Sequence, residues 1–375
     1  MPVAALPVPP PAAAAARPAP RRGRGALSNP AGRFEAIARA PFDDGWDRTG
    51  DEAPPATTLA RDAARSIIAW NRSPDLCFDR AINPYRGCEH GCVYCYARPS
   101  HAYLGLSPGL DFETKLFFKP DAAALLEKEL RRPGYACRPI ALGSNTDPYQ
   151  PVERTLKITR QVLEVLEAFA HPVTIVTKSS LVLRDVDILS RMAGRKLARV
   201  ALSVTTLDRD LARIMEPRAA TPLRRVQAIG ALARAGIPAV VMAAPMIPGL
   251  NDAELERILA VAAEAGATGA SYGLLRLSHE LGQIFTDWLQ THLPDRAAHV
   301  LSLIRQTRAG ALNDARFGYR FGGTGAYADL LAARFARAVR KLGLEGAEAG
   351  LDCTQFRPPA PVPQGFAEQQ LAFAL

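Results

Sequence analysis

Short apolar segments alternate with helical patterns through the middle of this chain. Six of these segments are β-rich and bounded by glycine, proline or polar residues: Asp79–Arg86, Pro139–Ser144, Pro172–Lys178, Ala198–Thr205, Ala239–Met246 and Ala270–Arg276. Several are nearly continuous apolar runs, which is typical of parallel strands that are covered on both faces. The repetition therefore predicts an α/β fold in which helices lie outside a parallel sheet.

Local signals mark helices between these strands. Thr221 and the proline after it indicate the start of one helix, and Gly236 indicates its end. Asn251 and Glu254 have the spacing of a capping box at the start of another helix. Arg225 lies near the first turn of its helix, where we expect a solvated side chain.

The two ends of the chain differ in composition from the middle. The first 30 residues are nearly all Ala, Pro, Gly and Arg, and they carry too little large apolar surface to offset the entropy of ordering them. We expect residues 1–60 to be a disordered Ala/Pro/Arg-rich tail and lead-in. Residues 75–345 are the predicted folded core with a C-terminal helical extension, and the proline-containing residues 346–375 are expected to be loosely ordered.

The overall composition excludes some classes of protein. Among 375 residues, 48% are hydrophobic and 22% are charged, which is the balance of a globular protein. No apolar run reaches the roughly 20 residues that cross a bilayer, so we predict no membrane association. The net charge of +9 is compatible with anionic partners such as nucleic acid.

The N-terminus and the cysteines together indicate a reducing compartment. Prolines interrupt the first 20 residues, which therefore cannot form the apolar part of a secretory signal. The expected location is the cytoplasm, where clustered cysteines bind a metal or react and seldom form disulfides.

Three cysteines, Cys88, Cys92 and Cys95, lie on one short loop after the first predicted strand. Gly87 and Gly91 allow the backbone to curl around them. A cubane iron–sulfur cluster normally takes four cysteine thiolates, so a loop that supplies three leaves one iron without a nearby protein ligand. Metal sites bind substrate at such an open position. The spacing therefore favours a [4Fe–4S] cluster with one open iron.

Other uses of these thiols stay open on the residues alone. A structural zinc site would combine the three cysteines with His90, His101 or Cys77. With the positive net charge and the Arg-rich tail, such a site would make the protein a zinc-stabilised nucleic-acid-binding module without catalysis. Cys77 as a fourth thiolate on a cluster would instead make it an electron carrier.

The spacing Cys-x-x-x-Cys-x-aromatic-Cys resembles the radical S-adenosylmethionine (SAM) superfamily, and the similarity extends over about residues 75–280. It looks closest to the spore photoproduct lyase branch and its uncharacterised bacterial relatives. The resemblance implies a partial (β/α)6 barrel of the TIM type and a site-differentiated [4Fe–4S] cluster held by the three cysteines. It also implies reductive cleavage of SAM to a 5′-deoxyadenosyl radical, with a reductant such as flavodoxin or ferredoxin.

The resemblance assigns cofactor-binding roles to residues near the ends of the strands. Tyr94 matches a position near the adenine, and Thr146 lies in a short polar motif that faces the cofactor. Lys178 matches a position that contacts the SAM carboxylate. Ser203 matches another cofactor-binding position, and Ala244 lies in an adenosine-facing segment.

The same polar motif supplies the candidates for catalysis or substrate binding, Ser144, Asn145 and Asp147. In spore photoproduct lyases a cysteine near this motif returns a hydrogen atom to the product, and its position falls on Ser144. A serine O–H bond is too strong to replace a thiol in that step. The resemblance therefore suggests nucleic acid as the substrate class but argues against thymine-dimer repair by the lyase mechanism.

Overall fold

A seven-stranded sheet organises the computed structural model, which describes residues 20–35, 56–346 and 350–360. The strands are β1 (Thr58–Arg61), β2 (Ile68–Trp70), β3 (Arg80–Ile82), β4 (Tyr85–Arg86), β5 (Lys115–Phe118), β6 (Ile140–Leu142), β7 (Val173–Thr177), β8 (Ala198–Ser203), β9 (Ala239–Met246) and β10 (Gly269–Leu274). The helices are α1 (Leu110–Thr114), α2 (Ala122–Leu130), α3 (Glu153–Leu156), α4 (Ile158–Ala168), α5 (Val186–Gly194), α6 (Arg209–Met215), α7 (Pro222–Arg234), α8 (Leu255–Glu264), α9 (Leu281–His292), α10 (Pro294–Gln306) and α11 (Ala326–Leu342). Among the described residues, no helix has the length and apolar character needed to cross a membrane.

The large sheet has the strand order β10-β9-β8-β7-β6-β3-β2. In this sheet β3, β6, β7, β8, β9 and β10 run parallel to one another, and β2 is antiparallel to β3. These six parallel strands correspond to the six predicted segments. The first prediction is divided, because Arg80–Ile82 joins the large sheet whereas Tyr85–Arg86 pairs with β5 in a three-stranded sheet of order β1-β5-β4.

The large sheet is a partial barrel. Within the described residues, β2 and β10 are its two edges and do not pair with each other. Helix α11 packs against α8 and β10, the last strand of the sheet. All six parallel strands present their carboxyl ends at one edge, where the functional sites of α/β proteins lie.

Burial on both faces explains the apolar strands. In β8 the consecutive residues Val200, Ala201 and Leu202 are all buried, because α5 and α7 pack on one face of the sheet and the barrel interior lies on the other. The ends of α7 are as predicted: Thr221 is extended (φ −61°, ψ 154°) and Gly236 has φ 72°.

Part of the expected N-terminal tail is packed on the core. Residues 1–19 and 36–55 lie outside the described residues. Within residues 20–35, Ala26 and Leu27 are buried, and the Leu110 N–H donates to the Ser28 carbonyl at 3.2 Å. Disorder is therefore the wrong expectation for residues 20–35, because their backbone finds hydrogen-bond partners on α1 and the turn before it that composition does not reveal.

The segment 350–360 also packs on the core, although residues 346–375 were expected to be loosely ordered. The Phe356 ring lies 5.4 Å from that of His171 and 6.4 Å from that of Phe169, between ring centroids. The Arg357 N–H donates to the Phe169 carbonyl at 3.1 Å. Residues 347–349 and 361–375 lie outside the described residues.

Candidate metal and cofactor site

The three cysteines lie on the loop that follows β4, at the carboxyl edge of the large sheet. Gly87 and Gly91 have φ values of 77° and 67°, which favour glycine. A Cβ on Gly87 would also lie 2.7 Å from a Leu116 methyl carbon and 2.8 Å from the Phe112 carbonyl oxygen. Both glycines are therefore needed for the loop to take this conformation.

The thiols of this loop are free and sheltered from solvent. Cys88 and Cys92 are buried and Cys95 is partly buried, and burial raises the pKa of all three. Because burial disfavours the charged thiolate, a group of thiolates in this loop would need a compensating positive charge, which a bound metal centre would supply.

The arrangement of the thiols suits a cluster better than one ion. Among the described residues, no three His, Cys, Asp or Glu side chains come close enough together to hold a single metal ion. A structural zinc ion needs four ligands around one point, whereas each iron of a cubane takes one cysteine thiolate. Three thiols spread around one loop therefore fit a [4Fe–4S] cluster.

A buried arginine supports the loop from behind. Arg98 is fully buried and donates to the Cys92 carbonyl at 2.8 Å and the Gly91 carbonyl at 3.0 Å. It also pairs with the fully buried Glu113. The sequence analysis missed this pair, because nothing in the local pattern joins residues that are 15 positions apart on different elements.

Glu113 connects the cysteine loop to the N-terminal segment. Its two carboxylate oxygens accept hydrogen bonds from the Gly25 N–H at 3.0 Å and the Ala26 N–H at 2.8 Å. One of these oxygens also accepts from Arg98. Residues 20–35 are therefore part of the structure that holds the cysteine loop.

The loop after β6 contacts the cysteine loop directly. The Thr146 hydroxyl donates to the Gly87 carbonyl at 2.6 Å. The Gln150 side chain accepts from the Glu89 N–H at 2.9 Å and donates to the same Gly87 carbonyl at 3.3 Å. Thr146, predicted to face the cofactor, therefore uses its hydroxyl to join the two loops.

Asp147 is the most highly connected residue of this loop. Its carboxylate accepts from the Thr177 hydroxyl at 2.7 Å and the Lys178 N–H at 2.8 Å, and lies 3.2 Å from Nδ1 of His90. Burial by itself raises the pKa of this carboxyl, but the charge on His90 and the hydrogen bonds from Thr177 and Lys178 outweigh it and lower the pKa of Asp147 to about 2. The carboxylate thus ties β6, β7 and the cysteine loop together.

Ser144 and Asn145 lie in the same loop as Asp147 but have different surroundings. Asn83 donates to the Ser144 hydroxyl at 3.1 Å and accepts from the Asn145 N–H at 2.7 Å. The Tyr96 hydroxyl donates to the Ser144 carbonyl. Because the Asn145 side chain is exposed, it is the member of this group that is open to a ligand.

Lys178 and Tyr94 meet at the carboxyl edge of β7. The Lys178 Nζ lies 5.6 Å from the centroid of the Tyr94 ring. The Tyr94 hydroxyl donates to Glu216 and lies 3.1 Å from the Thr205 hydroxyl. Tyr94 therefore holds its ring beside the cation while its hydroxyl is bound within the core.

A second buried arginine supports the end of β8. Ser203 is buried, and its carbonyl accepts from Arg225 at 3.1 Å. Arg225 also pairs with Glu216 and donates to the Ala220 carbonyl at 2.7 Å. The expectation of a solvated Arg225 is wrong, because the start of α7 lies over the barrel end and a buried carboxylate faces it.

Ala244 and Asn251 complete the edge at β9. Ala244 is partly buried, and its carbonyl lies 3.4 Å from the Thr205 hydroxyl. The fully buried Asn251 donates to the Thr205 carbonyl at 2.7 Å and accepts from the Ile247 N–H at 2.6 Å. The predicted capping box is wrong, because Glu254 instead accepts from residues 206 and 207.

The fold thus brings the predicted residues to one edge. Contacts link the cysteine loop to the ends of β6, β7, β8 and β9, the strands that carry the candidate cofactor and substrate residues. The family model of the radical SAM superfamily matches residues 82–262, and this range contains all of these strands.

The chain belongs to the radical SAM superfamily. Its cofactors are accordingly a [4Fe–4S] cluster and SAM, and the members of this superfamily are enzymes. The radical SAM protein shares 37% identity over 243 residues with an uncharacterized protein of Mycobacterium tuberculosis. This alignment covers 64% of this chain and 72% of that protein. It is 26% identical to the radical SAM Nalpha-GlyT isomerase of Pseudomonas phage M6, over 63% of this chain and 48% of the isomerase.

The radical SAM protein also resembles solved structures of spore photoproduct lyase. The lyase complexed with dinucleoside spore photoproduct superposes with a TM-score of 0.55 at 17% identity, over 76% of this chain and 79% of the lyase. A lyase mutant with bound AdoMet and the same dinucleoside gives a TM-score of 0.53 at 16% identity. At this level of identity the similarity shows a shared fold.

Proposed function

We propose that Cys88, Cys92 and Cys95 hold the [4Fe–4S] cluster and leave one iron for SAM. The observation that carries this proposal is the set of three free, sheltered thiols on one loop at the carboxyl edge of a partial barrel. When bound, the cluster and SAM supply reductive cleavage to a 5′-deoxyadenosyl radical that takes a hydrogen atom from the substrate.

The residues around the loop bind and orient SAM in this proposal. Lys178 lies at this edge and pairs with the SAM carboxylate, which is a charge-assisted interaction. Ser203 and Ala244 border the adenosine, at the ends of β8 and β9. Tyr94 and Thr146 act chiefly by position, because their hydroxyl groups are engaged within the protein.

The proposed substrate is a nucleic acid. Its support is the fold shared with a lyase whose structure contains a dinucleoside and the net charge of +9. Asn145 is exposed, lies between two residues that contact the cysteine loop, and is the proposed substrate contact. Ser144 and Asp147 position that loop, since Asn83 holds Ser144 and four groups contact the Asp147 carboxylate.

Radical SAM chemistry needs an electron donor. We infer a small redox protein of the flavodoxin or ferredoxin type for this role. In the laboratory dithionite replaces it.

The test is anaerobic reconstitution with iron and sulfide, followed by reduction with dithionite in the presence of SAM. We expect about four irons per chain and formation of 5′-deoxyadenosine. Substitution of Cys88, Cys92 or Cys95 by alanine is expected to abolish both the iron loading and the formation of 5′-deoxyadenosine. Cys77→Ala is the matched control, because Cys77 is exposed and lies outside the loop.

The competing function is a zinc-stabilised nucleic-acid-binding protein without catalysis. Elemental analysis separates the two. Colourless protein with one zinc per chain, or full iron loading without 5′-deoxyadenosine, would contradict the enzyme proposal. Unchanged iron content in all three cysteine variants would contradict the ligand assignment.

A further inference from the structure

Exposed aromatic rings and partly buried arginines form a continuous surface beside the carboxyl edge of the barrel. We define this stacking surface by Tyr96, Arg276, Phe317, Arg320 and Phe321. Its three rings are 50%, 59% and 36% exposed, in chain order. Contiguous exposed aromatic side chains of this kind mark interaction sites on soluble domains.

Guanidinium groups lie over the rings of the stacking surface. The Arg276 guanidinium carbon is 5.7 Å from the centroid of Tyr96 and 5.4 Å from that of Phe321. The Arg320 guanidinium carbon is 4.8 Å from the centroid of Phe321 and 5.1 Å from that of Phe317. These are cation–π distances. Flat π faces and guanidinium groups therefore alternate along the surface, and Asp75 pairs with Arg320 at 2.6 Å and offsets part of its charge.

The loop that carries Phe317, Arg320 and Phe321 is held in place by the barrel. The Leu274 N–H at the end of β10 donates to the Phe321 carbonyl at 2.9 Å. Arg308 donates to the Arg320 carbonyl at 2.9 Å and to the Leu274 carbonyl at 2.8 Å. A surface that is already ordered loses little conformational entropy when a ligand binds.

The stacking surface begins at the candidate site. Tyr96 directly follows Cys95, and its hydroxyl donates to the Ser144 carbonyl at the end of β6. Arg276 contacts this ring from the other side of the barrel, after β10. A ligand that lies along the rings therefore ends beside the cysteine loop.

We propose that the stacking surface binds unpaired nucleotides of a nucleic-acid strand and leads one of them to the site. This inference rests on the proposed function and specifies the form of its substrate. Each base stacked on an aromatic ring contributes about 1–3 kcal/mol, and arginines pair with phosphates. Because a duplex hides its base faces, the bound nucleotides must be unpaired.

The chemistry of the surface disfavours the other occupants. In a symmetric dimer formed through this surface, Arg276 and Arg320 of one copy would face the same two arginines of the other copy. An acidic peptide would match the charge but offers few flat faces to the three rings. A nucleotide strand supplies both negative charge and a flat face at every repeat.

The test measures fluorescence anisotropy of short labelled oligonucleotides with the full chain, anaerobically and without reductant. The probes are a single-stranded DNA, the same sequence as RNA, and the DNA duplex. We expect single strands to bind more tightly than the duplex. Phe317→Ala and Phe321→Ala are each expected to weaken single-strand binding about 5- to 150-fold. The DNA and RNA arms show which strand is preferred.

Tyr103→Ala is the matched control, because Tyr103 is exposed beneath Arg33 but lies outside the stacking surface. It is expected to leave binding unchanged. Equal binding of duplex and single strand, equal loss in the control, or stronger binding of a glutamate- and tyrosine-rich peptide would overturn the inference. Circular dichroism confirms that each variant is folded.

The SAM cleavage assay on the same preparation separates this inference from the proposed function. Formation of 5′-deoxyadenosine without strand binding overturns the inference alone. Strand binding that depends on Phe317 and Phe321, without 5′-deoxyadenosine, supports the surface and contradicts the proposed chemistry.

Discussion

The backbone of Gly25 lies directly against the carbonyl group of Gly91. A Cβ on Gly25 would overlap the Gly91 oxygen and would lie 3.1 Å from its carbonyl carbon and 3.3 Å from the Val93 nitrogen. The N-terminal segment thus touches the middle of the cysteine loop, between Cys88 and Cys92. No side chain fits between the two segments.

Gly25→Ala is expected to displace either the N-terminal segment or the cysteine loop, because all the atoms that meet the new methyl group are backbone. We expect lower iron content after reconstitution and faster loss of the cluster absorbance in air. Gly194→Ala is the control, since a Cβ there meets nothing within 4 Å. Equal iron content and equal cluster lifetime in the two variants would contradict this prediction.

Glu113→Gln is expected to lower the free energy of unfolding by about 3–5 kcal/mol, because it leaves the buried Arg98 guanidinium without its counter-charge. Urea denaturation measures the change. The control is Glu127→Gln, whose partner Arg131 is on the surface, and for which we expect about 1 kcal/mol or less. Similar losses in both variants would argue against a special role for the buried pair.

Lys178→Met is expected to weaken SAM binding to the reconstituted protein about 10- to 150-fold, the equivalent of a charge-assisted hydrogen bond of about 1.5–3 kcal/mol. Equilibrium dialysis of SAM without reductant gives the dissociation constant. Iron content should not change, because Lys178 is not a proposed ligand. The control is Lys128→Met, at an exposed position of α2, which should bind SAM as tightly as the native protein. If the Lys128→Met variant binds SAM no more tightly than the Lys178→Met variant, the proposed contact is wrong.

His171 should make stability depend on pH. Burial, aided by the nearby Arg80, lowers the pKa of His171 to about 4, and its ring contacts Tyr135. The unfolded chain takes up this proton near pH 6.5 whereas the folded chain does not until about pH 4, so folding stability falls as the pH falls through this window. We expect His171 to account for about 2 kcal/mol of loss between pH 7.5 and 5.

The measurement is urea denaturation of the native protein and of His171→Gln at both pH values. The variant lacks the titrating group, so its stability should fall less on acidification than that of the native protein. An equal fall in the two proteins would mean that His171 is not the group responsible.

Asn251→Ala is expected to cost about 2–3 kcal/mol of stability, because it leaves the buried Ile247 N–H and Thr205 carbonyl without partners. Thermal or urea unfolding measures the loss. Gln283→Ala, on the exposed face of α9, should change stability by about 0.5 kcal/mol or less. A loss at Asn251 no larger than at Gln283 would show that the bridge between β8 and β9 is dispensable.

Several features were readable in the sequence because their signals are local. Apolar runs of strand length, with Thr221 and Gly236 at the ends of a helix, predicted the parallel sheet, and the family resemblance implied the partial barrel. Three cysteines within eight positions predicted the metal loop, and their spacing carried the resemblance to the family. Where a structural feature is caused by residues that are close in sequence, the prediction from the sequence pattern agrees with the structure.

Other features depend on partners that are distant in the chain. Asn251 has the spacing of a cap, but it bonds to Thr205, which is 46 positions away. Arg225 has the sequence context of a surface residue on a helix, but in the structure it is buried and pairs with Glu216. Local spacing carries no information about such partners, so burial and charge pairing at these positions could not be predicted.

The order of short apolar strands and the spacing of Cys88, Cys92 and Cys95 were sufficient to predict the α/β class and the iron–sulfur loop, because each depends on nearby residues, and the same cysteine spacing carried the resemblance that implied SAM. Only the folded chain brought Gly25 against the cysteine loop and Arg276 against Tyr96. Those contacts arise when packing joins segments that are far apart in the chain, and which side chains then meet is decided by the geometry of the whole sheet.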